Sequence, residues 1–308
     1  MSLGEMSWNW QIWIDLWAAG MAGGAYLVAF LANKYSGGKY NSLFRLAVLT
    51  GVPLAIIGVF LLIIDLGTPI WAWHLFVSFL PVAVMSMGTW ILFAWIVVAF
   101  IMMVLWVVEW DANRNPNKYS GGTVSFFKNL SGMFAWVGFI FAILLMTYTG
   151  VLLASTTQAL WSDTLLLPAL FVVSAVTTGV ALLLIMTMIL NKVNAGRGSG
   201  WTFSDDVTGK LVKSLIGLIV IEAVVMAGYA IWLALAGDAG SEAFKTLVSG
   251  DLAVAFWVAV VGVGLVVPLL LLLVTRGRNA LFAVATSASC VVLGGLALRA
   301  VITVGGQL

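Results

Sequence analysis

The chain alternates long apolar runs with short polar breaks. A helix needs about 20 mostly apolar residues to cross a bilayer, whereas a barrel strand needs only about ten that alternate in polarity. Eight runs satisfy the helical requirement, at roughly 11–32, 46–66, 85–108, 131–155, 164–190, 212–236, 252–274 and 279–303. They are continuous rather than alternating, so helices are predicted. The connections are short and leave no room for a soluble domain. The expected fold is therefore an all-α membrane protein with about eight transmembrane helices. Met1 to Trp10 carries Glu5 and no basic segment, so the first run reads as a retained span and not as a cleaved signal.

Composition strengthens this picture. Of 308 residues, 63% are hydrophobic and 8% charged, against about 25% charged in a soluble domain. No basic run or aromatic-interleaved Lys/Arg stripe is present, which excludes a nucleic-acid partner. Cys290 is a lone thiol in an apolar stretch; it can neither close an internal disulfide nor hold an iron–sulfur cluster.

Charge placement sets the expected orientation. Lys34, Lys39 and Arg45 follow the first span, and Arg114, Lys118 and Lys128 follow the third. Lys192, Arg197, Lys210 and Lys213 follow the fifth, and Arg276 and Arg278 follow the seventh. The opposite side has only Lys245, so the bias is twelve against one. Positive loops stay inside, and both termini are expected on the outer, extracytoplasmic side. The connection after the second span is unusual: Asp65-Leu66-Gly67-Thr68-Pro69 is followed by Trp71, Trp73, His74 and an apolar run too short to cross. It reads as an interfacial or re-entrant segment at the outer face.

Charges inside a bilayer are costly, so each needs a reason. Asp15, Glu222 and Arg299 stand inside spans, and Asp65 and His74 at the outer boundary. Counted from the span ends, Asp15, Asp65, Arg299 and Tyr148 share one depth near the outer face, while Glu222 lies deeper. The structural alternative is an ion pair, Asp15–Arg299 or Asp65–Arg299, with Tyr148 as an interface aromatic, His74 solvated and Glu222 neutral. A single histidine rules out a bis-His haem and a three-His metal centre within this chain. No phosphate-binding glycine loop or Ser/His/Asp arrangement is present, so the chain is expected to hold neither haem nor metal. Trp17–Ala29 and Val173–Met186 echo one another in small residues. A true repeat would pair the first span with the fifth; ordinary close packing of small residues is the simpler account.

The ordered motifs carry a resemblance. Trp8-x-Trp10, Gly20-Met21-Ala22-Gly23-Gly24-Ala25, Asp65-Leu66-Gly67-x-Pro69, Met85-Ser86-Met87-Gly88-x-Trp90, Tyr148-Thr149-Gly150, and Leu298-Arg299 followed by Gly306-Gln307 run through nearly the whole chain. In order and spacing it resembles the membrane subunits of the polysulfide reductase family, the NrfD/PsrC-like proteins. The resemblance implies two four-helix bundles, here 1–155, which would bind quinone, and 156–308, with both termini outward. It implies exchange of electrons and protons with a membrane quinone, usually menaquinone, in the inner (cytoplasmic) membrane. A ferredoxin-like iron–sulfur subunit would dock on the outer face and serve a catalytic subunit, often of the molybdopterin class. The chain would then be the quinone-reactive subunit of a respiratory oxidoreductase, not catalytic alone.

The same resemblance assigns residues. The quinone-contact tyrosine matches Tyr148, the acid after the second span Asp65, and the arginine of the last span Arg299. A histidine that contacts quinone in some members is replaced by Asp15, and a nearby asparagine by Ile12. The residue types suit the chemistry: a phenol hydrogen-bonds a carbonyl oxygen, a desolvated Asp15 or Asp65 relays protons, Arg299 holds that carboxylate or stabilises semiquinone charge, and Trp13 and Trp17, with His74, wall the ring. Glu222 with Asp65 would form a proton path if protons are translocated. The alternative function is a small-solute or ion transporter using Asp15, Glu222 and Arg299.

Overall fold

The computed structural model describes residues 8–65, 84–115, 121–156, 158, 160–161, 164–194, 201–274 and 281–307. Among these, all regular structure is helical. Among the described residues, eight helices are long and apolar enough to cross a membrane. They are α1 (Trp10–Tyr35), α2 (Asn41–Asp65), α3 (Val84–Arg114), α4 (Gly121–Ala154), α5 (Leu166–Val193), α6 (Asp205–Leu235), α8 (Ala255–Val274) and α9 (Leu281–Gly305). The expected interfacial segment around His74 falls outside the described residues.

Three helices extend well beyond their apolar runs. α2 begins at Asn41, α4 at Gly121 and α6 at Asp205. Counting apolar residues finds the hydrocarbon boundary, but backbone hydrogen bonding continues through polar turns at the interface. The short α7 (Gly237–Val248) is an addition to the expected elements. Its signal is present, with Gly240, Ala243, Phe244 and Leu247 at helical spacing between polar residues. The first part of α8, Ala255–Val266, is π-helical, and Pro268 follows it.

α1 and α5 form the centre. In their most apolar windows, 72% of α1 and 67% of α5 is buried, against 28–44% for the other spans. Within a bilayer, helices associate by van der Waals packing rather than by hydrophobic expulsion, so small residues that allow close approach matter most. The two echoing segments meet each other here. A Cβ on Gly24 would lie 2.0 Å from the Ala175 carbonyl oxygen, and one on Gly179 would lie 2.2 Å from the Ala25 nitrogen. α2, α4 and α9 also pack on α1, while α4, α6 and α9 pack on α5. Tyr26 ties α1 to α3 and α4, its hydroxyl donating to the Ala135 carbonyl at 2.9 Å and lying 3.4 Å from the Met102 sulfur.

The two ends are closed differently. At one, the Trp8 amide donates to Gln307 Oε1 at 2.9 Å, and Gln307 Nε2 donates back to the Trp8 carbonyl at 3.2 Å. Trp8 and Gln307, near the two chain termini, therefore lie at the same end of the helices. Trp161 packs on Trp8 and donates its indole N–H to the Ile302 carbonyl at 2.7 Å. At the other end lie the Lys/Arg-rich turns. There Arg45 pairs with Glu109 at 2.7 Å. Asp206 takes Lys210 at 2.9 Å and Lys39 at 3.5 Å. These last pairs are about half exposed, so solvent screening leaves them little weight in stability.

Candidate functional site

The buried polar groups fall into two clusters on different faces of α1. Successive residues of a helix turn by about 100°, so Gly20 stands about 140° and Gly24 about 180° round from Asp15. Asp15 faces α2: a Cβ on Gly58 would lie 2.3 Å from its Oδ1. Gly20 and Gly24 face α5, and the Arg299 guanidinium from α9 reaches Gly20.

The first cluster sits between α1, α2, α3 and α4, in the halves nearest the end where Trp8 and Gln307 meet. Asp15 is buried, and its Oδ1 has no hydrogen-bond partner among the described residues. The Tyr148 phenol of α4 feels the Asp15 charge. Its ring packs directly on Gly88 of α3, where a Cβ would lie 1.7 Å from a ring carbon. Ile12, Leu16, Leu152 and Trp8 close an apolar wall on Tyr148. Asp65, at the end of α2, takes Asn9 as a side-chain hydrogen-bond partner, and its Oδ1 is buried and unpartnered among the described residues. Asn9 is also the N-cap residue of α1. Asp65 is thereby tied to the helix that carries Asp15.

The second cluster lies where α1, α5, α6 and α9 meet. Arg299 is fully buried. Its Nη1 donates to Ser174 Oγ at 3.1 Å and to the Gly295 carbonyl at 2.9 Å, and its Nε donates to the Leu16 carbonyl at 3.3 Å. The guanidinium lies 5.3 Å over the Phe171 ring, and Nη2 has no partner among the described residues. Glu222, also buried, faces Ser174 and Thr177 as hydrogen-bond partners and Arg299 as a charge.

This arrangement differs from the expected one, in which Arg299 joins Asp15, Asp65 and Tyr148 and Glu222 stands apart. Among the described residues no ion pair joins Arg299 to either aspartate; its charged neighbour is Glu222. Glu222 does lie deeper, near the middle of α6 (Asp205–Leu235), but depth alone does not tell which helix it faces. Among the described residues, the neighbours of Glu222 are on α5 and α9, and Asp65 is not one of them. Of the aromatic residues, Trp17 turns to α9 and donates its indole N–H to the Val292 carbonyl at 3.0 Å. Trp13, one turn earlier on the same face, is partly buried. His74 lies outside the described residues. Ser174, Thr177, Gly58 and Asn9 join the clusters without having been expected there. The polar pair Ser174 and Thr177, at i and i+3 in the apolar stretch of α5, is the available sequence signal for the second cluster.

The family profile described as "Polysulphide reductase, NrfD" matches residues 2–308. The chain belongs to this family. The C chain of polysulfide reductase from Wolinella succinogenes is 27% identical over 97% of the present sequence and 94% of its own length. Protein NrfD of Escherichia coli K12 is 26% identical over 99% and 96%, and the NrfD homolog of Haemophilus influenzae is 27% identical over 86% and 83%. Family membership and eight spans together make this a multi-pass membrane protein. Several glycines of the motifs read in the sequence lie at close contacts: Gly20 and Gly24 against α5, Gly23 against α4, Gly88 against Tyr148, Gly150 against Pro168, and Gly306 against Trp161.

Proposed function

We propose that the chain is the quinone-reactive membrane subunit of a respiratory oxidoreductase in the cytoplasmic membrane. It exchanges electrons and protons between menaquinone and an iron–sulfur subunit docked at the end that carries both chain termini, and that subunit serves a molybdopterin-type catalytic subunit. The single observation that carries the reading is the buried, unpartnered Oδ1 of Asp15 beside the Tyr148 phenol. Leaving a buried carboxylate oxygen unsatisfied costs about 1–3 kcal/mol or more. Such an oxygen fits a ligand that brings its own hydroxyl or carbonyl.

A quinone, when bound, supplies two-electron, two-proton redox chemistry. Tyr148 donates its phenolic proton in a hydrogen bond to a carbonyl oxygen. Asp15 accepts or returns the proton at Oδ1. Asp65, at the mouth of the cluster with Asn9, passes protons to the terminal surface. Ile12, Leu16 and Leu152 keep water away from Tyr148.

In the assembled complex, Tyr148→Phe and Asp15→Asn should each lower quinone-linked turnover by about 10²-fold or more, the usual contribution of a positioned proton donor or acceptor. Activity of the catalytic subunit with a soluble dye should be unchanged. Both substitutions keep side-chain volume, so the fold is not at issue. Wild-type quinone turnover in both variants would refute the proposal.

A further inference from the structure

A cavity of about 470 Å³ opens between α1, α2 and α4 at the Lys/Arg-rich end. It is remote from both polar clusters, and a ligand bound there would be independent of the proposed quinone chemistry. Lys34, Lys128, Asn33 and Asn129 line its polar part. Neither lysine has a carboxylate within ion-pair distance among the described residues. Lys34 instead holds its ammonium 5.5 Å over the Trp136 ring. The wall thus carries two positive charges and, among the described residues, no counter-charge. Phe30, Phe44 and Trp136 form the apolar part. Pockets of about 300–1,000 Å³ are of ligand size.

Position in the bilayer narrows the ligand. α4 has 34 residues, about 51 Å of helix against a hydrocarbon core of about 30 Å. Its first turns, with Lys128 and Asn129, must therefore stand in the headgroup layer. Lys34 is in the last turn of α1, in the same layer. From the cavity, Met133, Trp136 and Ile140 continue along α4 at spacings of three and four, 53%, 46% and 56% exposed. That stripe faces hydrocarbon. A soluble anion or an acidic peptide would use the lysines but not the stripe.

We propose that this cavity is a binding site for an anionic phospholipid. The phosphate sits between Lys34 and Lys128, and an acyl chain runs over Trp136 toward Ile140. Gly132 lies in the cavity wall, and a Cβ there would meet nothing within 4 Å.

The test is native mass spectrometry of the full chain in detergent, titrated with phosphatidylglycerol, with phosphatidylcholine and with inorganic phosphate. Phosphatidylglycerol should bind saturably, phosphatidylcholine at least tenfold more weakly, and inorganic phosphate should not displace the lipid. Each basic residue at a membrane surface contributes about a factor of five, so Lys34→Gln/Lys128→Gln should weaken binding about 25-fold. Gly132→Phe should block the cavity while leaving the lipid-free Tm unchanged. The lysine substitutions are on exposed side chains and decide the matter even if Gly132→Phe is poorly produced. Equal phosphatidylglycerol binding by wild type and the lysine variant would overturn the proposal. So would equal binding of phosphatidylcholine, or displacement by inorganic phosphate.

Discussion

Gly24→Val should yield almost no folded protein. The new Cβ would lie 2.0 Å from the Ala175 carbonyl oxygen and 2.6 Å from its carbon. Those are backbone atoms of α5, so no rotamer change relieves the clash. The helices must separate, and with them the Gly179–Ala25 contact on the other side of the same crossing. Ordinary overpacking costs about 1–3 kcal/mol, and losing the central crossing should exceed that. Because packing, not hydrophobic expulsion, holds helices together in lipid, the freed surface simply meets lipid and nothing drives the two helices back. Gly228→Val is the control, since a Cβ there would meet nothing within 4 Å. Yield of monodisperse protein and Tm in detergent measure both. A Gly24→Val protein that purifies and melts like wild type would show that α1 and α5 do not touch here.

Breaking the Arg299–Glu222 cluster is the second large effect. Arg299→Met removes the donor to Ser174 Oγ, Gly295 and Leu16, and leaves the buried Glu222 with Ser174 and Thr177 but without its neighbouring cation. Leaving a buried polar group without its hydrogen-bond partner costs about 1–3 kcal/mol, and more where a charge is concerned. Glu222→Gln in the same chain removes the stranded carboxylate and should recover part of that loss. Two groups in one network couple by about 0.5–3 kcal/mol in a double-mutant cycle. The four proteins compared by thermal unfolding give that number directly. Strict additivity would mean that Glu222 and Arg299 are held independently. By contrast, Asp15→Asn combined with Arg299→Met should be additive, because α1 keeps the two on different faces.

The number and type of elements can be read along the chain because they depend on local quantities. Twenty apolar residues in a row demand a helix in lipid whatever surrounds them. The close-packing role of the Gly20–Ala25 stretch is likewise visible, since a run of small residues has little use on a lipid-facing surface. Helix ends are less visible, as at α4 and α6, because hydrogen bonding outlasts hydrophobicity at the interface. α7 escapes notice for a related reason: it is too short and too polar to register as a span.

What the sequence by itself determined is a multi-pass helical protein whose rare buried charges are Asp15, Glu222 and Arg299. Which of these charges meet was decided only by the tertiary structure. Depth along a span can be counted, but the azimuth of a side chain and the lateral order of helices depend on which faces pack. Rotation of about 140° between Asp15 and Gly20 on α1 sends Asp15 toward Gly58 and Tyr148 and leaves Gly20, with the Leu16 carbonyl, to Arg299. Arg299 in turn takes Ser174 and faces Glu222, a residue far from it in sequence that α5 and α6 bring alongside.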